Sequence, residues 1–211
     1  MRRISLSILM AVFFSFLTNS LLAQEKRDAL REYRLGNFQA AVDVCLEELS
    51  ENPMNLDSYA VLCWSLVRLG KFDEAALRAE RARAINRYDP RIIQILAEAR
   101  FNQGRNDEAL KLFQEYVSLA PEGGRIDSVY FHLGEIYSRL GRFRHADIAY
   151  STAVRYVPGN AHWWTRLAYA RERAGDNRYA ASAYEKAISL DPQLADAARG
   201  LERVRRALAA R

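Results

Sequence analysis

The chain has 211 residues, of which 50% are hydrophobic, with 31 Lys+Arg against 26 Asp+Glu. That length and apolar share suffice for one continuous core. A formal charge of +5, spread evenly along the chain, is too mild to argue for a nucleic-acid surface.

The N-terminus reads as a secretory signal over residues 1–23. Arg2-Arg3 opens it, Ile4 to Leu17 is apolar apart from serines, and Thr18-Asn19-Ser20 and Leu21-Leu22-Ala23 precede a charged segment. The apolar core is short for a span, which needs about 20 residues. Leu21 is large for its place if cutting follows Ala23, so an uncleaved N-terminal anchor stays open. No cysteine near this junction allows lipid attachment there, and no later segment is fit to cross a membrane. Without residues 1–23 the net charge is +3. The expected location is the periplasm or cell envelope, with membrane contact only through an uncleaved leader.

From there a period governs the chain. Glycine returns at Gly36, Gly70, Gly104, Gly141 and Gly175, at intervals of 34, 34, 37 and 34 residues. An alanine follows five places after each: Ala41, Ala75, Ala109, Ala146 and Ala180. A period in this range marks a repeat protein built from helical hairpins. In one unit, Tyr130, Leu133, Gly134 and Tyr137 lie on one helix face. Leu140-Gly141-Arg142 ends that helix, because glycine accepts left-handed dihedrals. Phe143, Ala146, Ile148-Ala149-Tyr150 and Ala153 form a second stripe, and Pro158-Gly159 closes the unit.

Leu62, Leu96, Leu133 and Leu167 hold equivalent places, each followed by a small residue: Cys63, Ala97, Gly134 and Ala168. Small residues there are expected to let helix backbones approach closely. Pro53, Pro90, Pro121, Pro158 and Pro192 all fall between hairpins. The 37-residue interval is explained by an insertion at Gly123-Gly124-Arg125.

At these residues the chain resembles the tetratricopeptide repeat family. The nearest units are Trp164-Thr165-Arg166-Leu167-Ala168 with Gly175, Ala180, Tyr184, Ala187 and Asp191-Pro192, and the unit of Tyr130, Leu133, Gly134 and Tyr137 just described. The resemblance implies an all-α fold, a right-handed α-solenoid of five helix-turn-helix repeats across residues 24–194. The repeats run over 22–55, 56–89, 90–123, 127–160 and 161–194, with a C-terminal capping helix at 195–211. Departures are few. Asp28 stands where an apolar residue is usual, Asn86-Arg87 replaces a proline, and Asn106 and Asn177 replace an aromatic. In the cap, Leu194, Ala197, Ala198, Leu201, Val204 and Leu208 face the stack, while Glu202, Arg203, Arg205, Arg206 and Arg211 face solvent.

A second stripe is left over on each first helix once the core stripe is assigned. It reads Lys26, Leu30, Tyr33, Arg34; then Ala60, Trp64, Val67, Arg68; Gln94, Glu98, Phe101, Asn102; Phe131, Glu135, Ser138, Arg139; and Thr165, Tyr169, Glu172, Arg173. In the family this chain resembles, such surfaces line a concave groove for a peptide or partner helix. Trp, Tyr and Arg dominate interface energies. Tyr33, Trp64, Phe101, Phe131 and Tyr169 are therefore the candidate anchors, with Arg68, Arg139 and Arg173 as readers of acidic or backbone groups. Glu98, Glu135 and Glu172 are expected to neutralise these arginines in part, which disfavours a purely acidic ligand. The alternative is that several aromatics pack on the adjacent hairpin. The lysine–asparagine clamp of some family members is missing: the matching places hold Ala60, Trp64, Ile95, Ser128 and His132.

Nothing points to catalysis, a metal or a cofactor. His132, His145 and His162 have no metal-site spacing, Gly123-Gly124 lacks the residues of a phosphate loop, and no G-x-S-x-G occurs. Cys45 and Cys63 take places expected to be buried, and are read as free thiols rather than a disulfide, which export would permit. The expected function is a non-catalytic protein-interaction adaptor of the envelope. Alternatives are a membrane-tethered structural subunit and an accessory protein for a small solute or lipid.

Overall fold

The computed structural model describes residues 28–210. The expected leader at 1–23, Lys26 and Arg211 lie outside the described residues. Among those described there are eleven helices: α1 Ala29–Arg34, α2 Phe38–Glu51, α3 Leu56–Arg68, α4 Phe72–Ile85, α5 Pro90–Asn102, α6 Asn106–Leu119, α7 Ile126–Arg139, α8 Phe143–Tyr156, α9 Ala161–Arg173, α10 Asn177–Leu190 and α11 Ala195–Ala209. The fold is an all-α repeat solenoid. None of these helices is long and apolar enough to cross a membrane.

Local chemistry sets the helix ends. The Asp28, Asn55, Asp89 and Asn160 side chains accept from backbone N–H groups in the first turns of α1, α3, α5 and α9. Asp28 is thus a cap and not a misplaced core residue. The insertion deprives α7 of this device. Arg125 gives no side-chain cap, and its N–H donates instead to the Tyr116 hydroxyl at 3.3 Å. Pro90 occupies the first turn of α5, where its missing N–H costs nothing.

Each hairpin turns on a glycine with φ between 72° and 86°. At Gly70 the glycine N–H donates to Val67 O at 3.1 Å and the Lys71 N–H to Leu66 O at 2.9 Å. This paired bonding satisfies the final carbonyls and requires the left-handed residue. The alanine five places on is fully buried in all five hairpins.

Leu62, Leu96, Leu133 and Leu167 are buried, as are their small neighbours Cys63, Ala97 and Ala168. Gly134 differs from the expected meeting of two backbones. A Cβ there would lie 2.5 Å from Tyr150 Cδ1, so an aromatic ring fills the space. Gly200 of α11 is covered the same way by Tyr184. Ala197, Leu201 and Val204 complete the inward face of this last helix, while Glu202, Arg203, Arg205 and Arg206 are exposed. The buried residues form two apolar clusters that meet in the α7–α8 hairpin.

First helices pack on one another, α1 on α3, α3 on α5 and α5 on α7, and second helices make no comparable contacts among themselves. From α1 to α7 the first helices are therefore the closely spaced inner row.

Cys45 and Cys63 are free and fully buried on α2 and α3. Burial, assisted by the Glu48 charge, pushes the Cys45 thiol up to about 12; burial pushes Cys63 higher still. Thiolate is the reactive form. Both thiols should resist a water-soluble disulfide reagent in the native protein and react together on unfolding in urea; fast native labelling would contradict this packing. Gly134→Ala should cost about 1–3 kcal/mol in chemical denaturation, because Tyr150 is held by a 2.6 Å hydrogen bond to Glu135 and has little room to retreat. Gly124→Ala, with nothing within 4 Å of the added Cβ, should change stability by less than about 0.5 kcal/mol.

Candidate functional site

The inner row carries two bays. The first lies over α1 and α3. Tyr33 and Trp64 are half-buried with ring centroids 5.9 Å apart, and Tyr33 also meets Phe38 at 5.6 Å. Leu30, Arg34, Ala60 and Trp64 line a concavity of about 590 Å³, bounded by the Arg91–Asp57 ion pair at 2.6 Å. The Trp64 Nε1 is shielded from solvent and has no acceptor among the described residues. A buried donor without a partner is costly.

The second bay joins α5, α7 and α9 in a concavity of about 360 Å³ lined by Phe101, Phe131, His132, Glu135, Arg139, His162 and Arg166. Phe131 stacks on Trp163 at 4.9 Å with 13° between the rings, and faces His162 at 6.1 Å. His132 stacks on Phe113 at 5.2 Å and meets the Phe101 ring edge-on at 5.2 Å. Phe101 is only 8% exposed, so its ring serves as a platform more than as an open anchor. Arg139, whose guanidinium carbon lies 3.9 Å from that ring's centroid, and the His132 ring both cover it.

Tyr169 and Arg173 form a third element beyond the second bay. The half-buried Tyr169 hydroxyl accepts from Arg173 Nη1 at 2.8 Å, and its ring meets Phe143 edge-on at 6.3 Å. Arg173 lies over Phe143 at 4.6 Å, and Arg68 over Phe38 at 4.7 Å. Thus the three arginines are held on rings of the preceding repeat. Sequence reasoning missed Phe38 and Phe143 as platforms, although each stands two places after a turn glycine. It also passed over His132, His162, Arg34 and Arg166.

The carboxylates meet the expectation only in part: the Arg173 charge acts on Glu172, but the hydrogen bonds go elsewhere. Glu135 does not neutralise Arg139; it accepts from Arg166 at 2.5 and 2.8 Å and from the Tyr150 hydroxyl at 2.6 Å. Glu172 likewise accepts two bonds at 2.9 Å from Arg203 of the last helix and one at 2.7 Å from Tyr184. Both act as ties to the following helix pair. Burial opposes ionisation of Glu172, but the Arg203 and Tyr184 hydrogen bonds and the Arg203 and Arg173 charges outweigh it and hold its carboxyl below the ordinary glutamate value. At half-buried Glu98, burial prevails over the nearby His132 and Arg125 charges and moves the carboxyl upward. No group of three or more metal-ligating side chains occurs among the described residues.

Comparison with known proteins fits this architecture. The family described as the Cilia and flagella-associated protein 70 C-terminal domain matches residues 20–198. The Hsp70-Hsp90 organizing protein of Triticum aestivum is 31% identical over 112 residues, covering 53% of this chain and 19% of that protein. The chain therefore spans about a fifth of that curated relative's length. A crystal structure of MamA superposes with a TM-score of 0.65 at 20% identity, covering 79% of this chain and 90% of the other. A MamA from Desulfovibrio magneticus RS-1 gives 0.64 at 19% identity, covering 71% and 82%. TTC0263, a thermophilic TPR protein in Thermus thermophilus, gives 0.59 at 19% identity, covering 83% and 94%. At such identities the structural likeness speaks for the fold.

The Glu172 tie should be visible in stability. Its folded carboxyl titrates below the unfolded one, so its contribution is present above about pH 4.3 and is lost as pH falls through the folded value. Glu172→Gln should cost about 1–2 kcal/mol at neutral pH in urea unfolding, and the two proteins should converge in acid. Parallel curves at every pH would refute the tie.

Proposed function

Since the chain belongs to the tetratricopeptide-repeat family, in the type described as the Cilia and flagella-associated protein 70 C-terminal domain, we propose that it is a non-catalytic protein-interaction scaffold whose inner row receives a peptide or partner helix. The observation that carries this reading is the pair of bays. The half-buried Trp64 ring stands beside Tyr33 in one, and the other places Phe131 beside two histidines and near the ring-held Arg139. Aromatic rings and arginines set by packing lose little freedom on binding, which is where interface affinity comes from. The concave inner row also gives an extended partner contact with successive repeats.

The reading includes a setting in the periplasm or cell envelope. Support for that is confined to residues 1–23, with their basic start and apolar core. Mass spectrometry of the protein from its native cell should find a mature chain beginning at Gln24. Recovery of the intact chain from the membrane fraction would mean an anchor instead.

Affinity capture from a cross-linked envelope fraction tests the groove. Wild type should retain a defined partner, and Trp64→Ala with Arg68→Ala should reduce it by about thirtyfold or more, as for loss of an interface hot spot. A thermal melt checks that the variant is folded. Equal capture by a folded variant would remove the groove reading.

A further inference from the structure

Away from the inner row, the second helices differ from one another at their N-termini. α4 carries Asp73 and Glu74 in its first turn, and α6 carries Asp107 and Glu108. Acids suit the positive end of a helix. The places of Asp73 and Asp107 are taken by Arg144 in α8 and Arg178 in α10, and neither of these helices has an acid in its first turn. A cation there opposes the helix dipole and lowers stability. Arg144 and Arg178 are exposed, and neither has an ion-pair partner among the described residues. A local rule broken without a compensating contact points to a role other than folding.

These arginines belong to a larger face. α8 packs chiefly on α7 and α9, and α10 on α9 and α11, so the outer side of each is open. Arg155 and Lys186 also stand exposed on these helices without an ion pair among the described residues. The acids within the two helices are engaged: Asp147 holds Arg171 at 2.8 Å, and Glu185 holds Arg205 at 2.8 Å. Of the acids flanking α10, Asp176 shares a recess with Arg178 and Tyr179, and Asp191 accepts from the Gln193 N–H. Four cations against these two flanking acids leave a positive surplus.

Large apolar side chains accompany the cations. Ile148 and Tyr179 are each 69% exposed and Tyr156 is 50% exposed. Arg144, Ile148 and Arg155 fall on one stripe of α8. We propose that the outer face of α8 and α10 is a docking surface for an anionic lipid bilayer.

A face that combines aliphatic and tyrosine side chains with unpaired Arg and Lys has the composition of a membrane-interfacial surface. Tyr156 and Tyr179 suit the headgroup boundary, Ile148 gains from the acyl edge, and each cation near an anionic surface adds attraction. Nucleic acid would use the cations but gain nothing from Ile148. Specific recognition of a folded acidic protein favours guanidiniums set by packing, whereas these four cations have no partner to fix them, which suits mobile headgroups. The two bays lie on first helices, so a bilayer on the outer face leaves the inner row open to the protein partner proposed above. The contact is also independent of residues 1–23.

Co-sedimentation with vesicles tests this, comparing mixed phosphatidylglycerol and phosphatidylcholine with phosphatidylcholine alone. Wild type should bind the anionic vesicles at least about tenfold more tightly, and lose that advantage between about 50 and 500 mM salt. Arg144→Asp with Arg178→Asp should bind them about tenfold or more weakly, while the melting temperature rises by about 1–4 °C because acids suit these helix ends. Arg155→Gln with Lys186→Gln, away from the helix N-termini, should lose about fivefold. All these proteins carry the same N-terminal segment, so the differences between them read the outer face. Trp64→Ala with Arg68→Ala should bind vesicles as wild type does, which separates this face from the inner row. Equal binding of wild type to both vesicle types, or undiminished binding by both outer-face variants, would overturn the proposal and leave the inner-row reading intact. Tighter binding of poly-dA or polyglutamate through the same four residues would replace the bilayer with a nucleic acid or an acidic protein.

Discussion

A helical hairpin of this size cannot bury its apolar faces alone, so the stacking of each hairpin on the next is the contact on which the molecule depends. That contact requires a close fit at repeated points. The alanine five places after each turn glycine has no exposed surface, the Tyr150 ring covers Gly134 within its own hairpin, and the Tyr184 ring covers Gly200 of the last helix. A larger side chain at any of these points would push apart not one pair of helices but the register of everything stacked beyond it.

The polar contacts between hairpins follow the same neighbour-to-neighbour logic. Glu135 holds Arg166, and Glu172 holds Arg203, each pair also fixing a buried tyrosine hydroxyl. Arg68, Arg139 and Arg173 reach back over the preceding repeat. Glu135 and Glu172 are thereby engaged by the following helices, while Arg68, Arg139 and Arg173 lie over rings. The contacts that join the repeats thus also set which side chains stand along the inner row.

The insertion at Gly123-Gly124-Arg125 shows how far the pattern tolerates change. It removes the Asn or Asp cap used by the neighbouring first helices, and the Tyr116 hydroxyl takes over the exposed Arg125 N–H. The core clusters meet in the next hairpin, so the inner row continues across the insertion to Phe131 and Arg139.

The repeat was legible because its signals are local. A left-handed turn at Gly70 is fixed by the absence of a Cβ, and an alanine at a helix crossing is fixed by size; both are properties of one residue and its nearest neighbours. The eight candidate groove residues were legible as a stripe, since helical spacing alone places them on one face. Their states were not. Phe101 lies under Arg139, 38 residues away, and Glu135, in the wall of the second bay, pairs with Arg166, 31 residues away. Sequence by itself determined the helical hairpins, their turns and the stripe they share, because backbone dihedrals and side-chain volume act over a few residues. Only the tertiary structure decided which rings are covered and which charges are paired, because those depend on partners supplied by the neighbouring repeat.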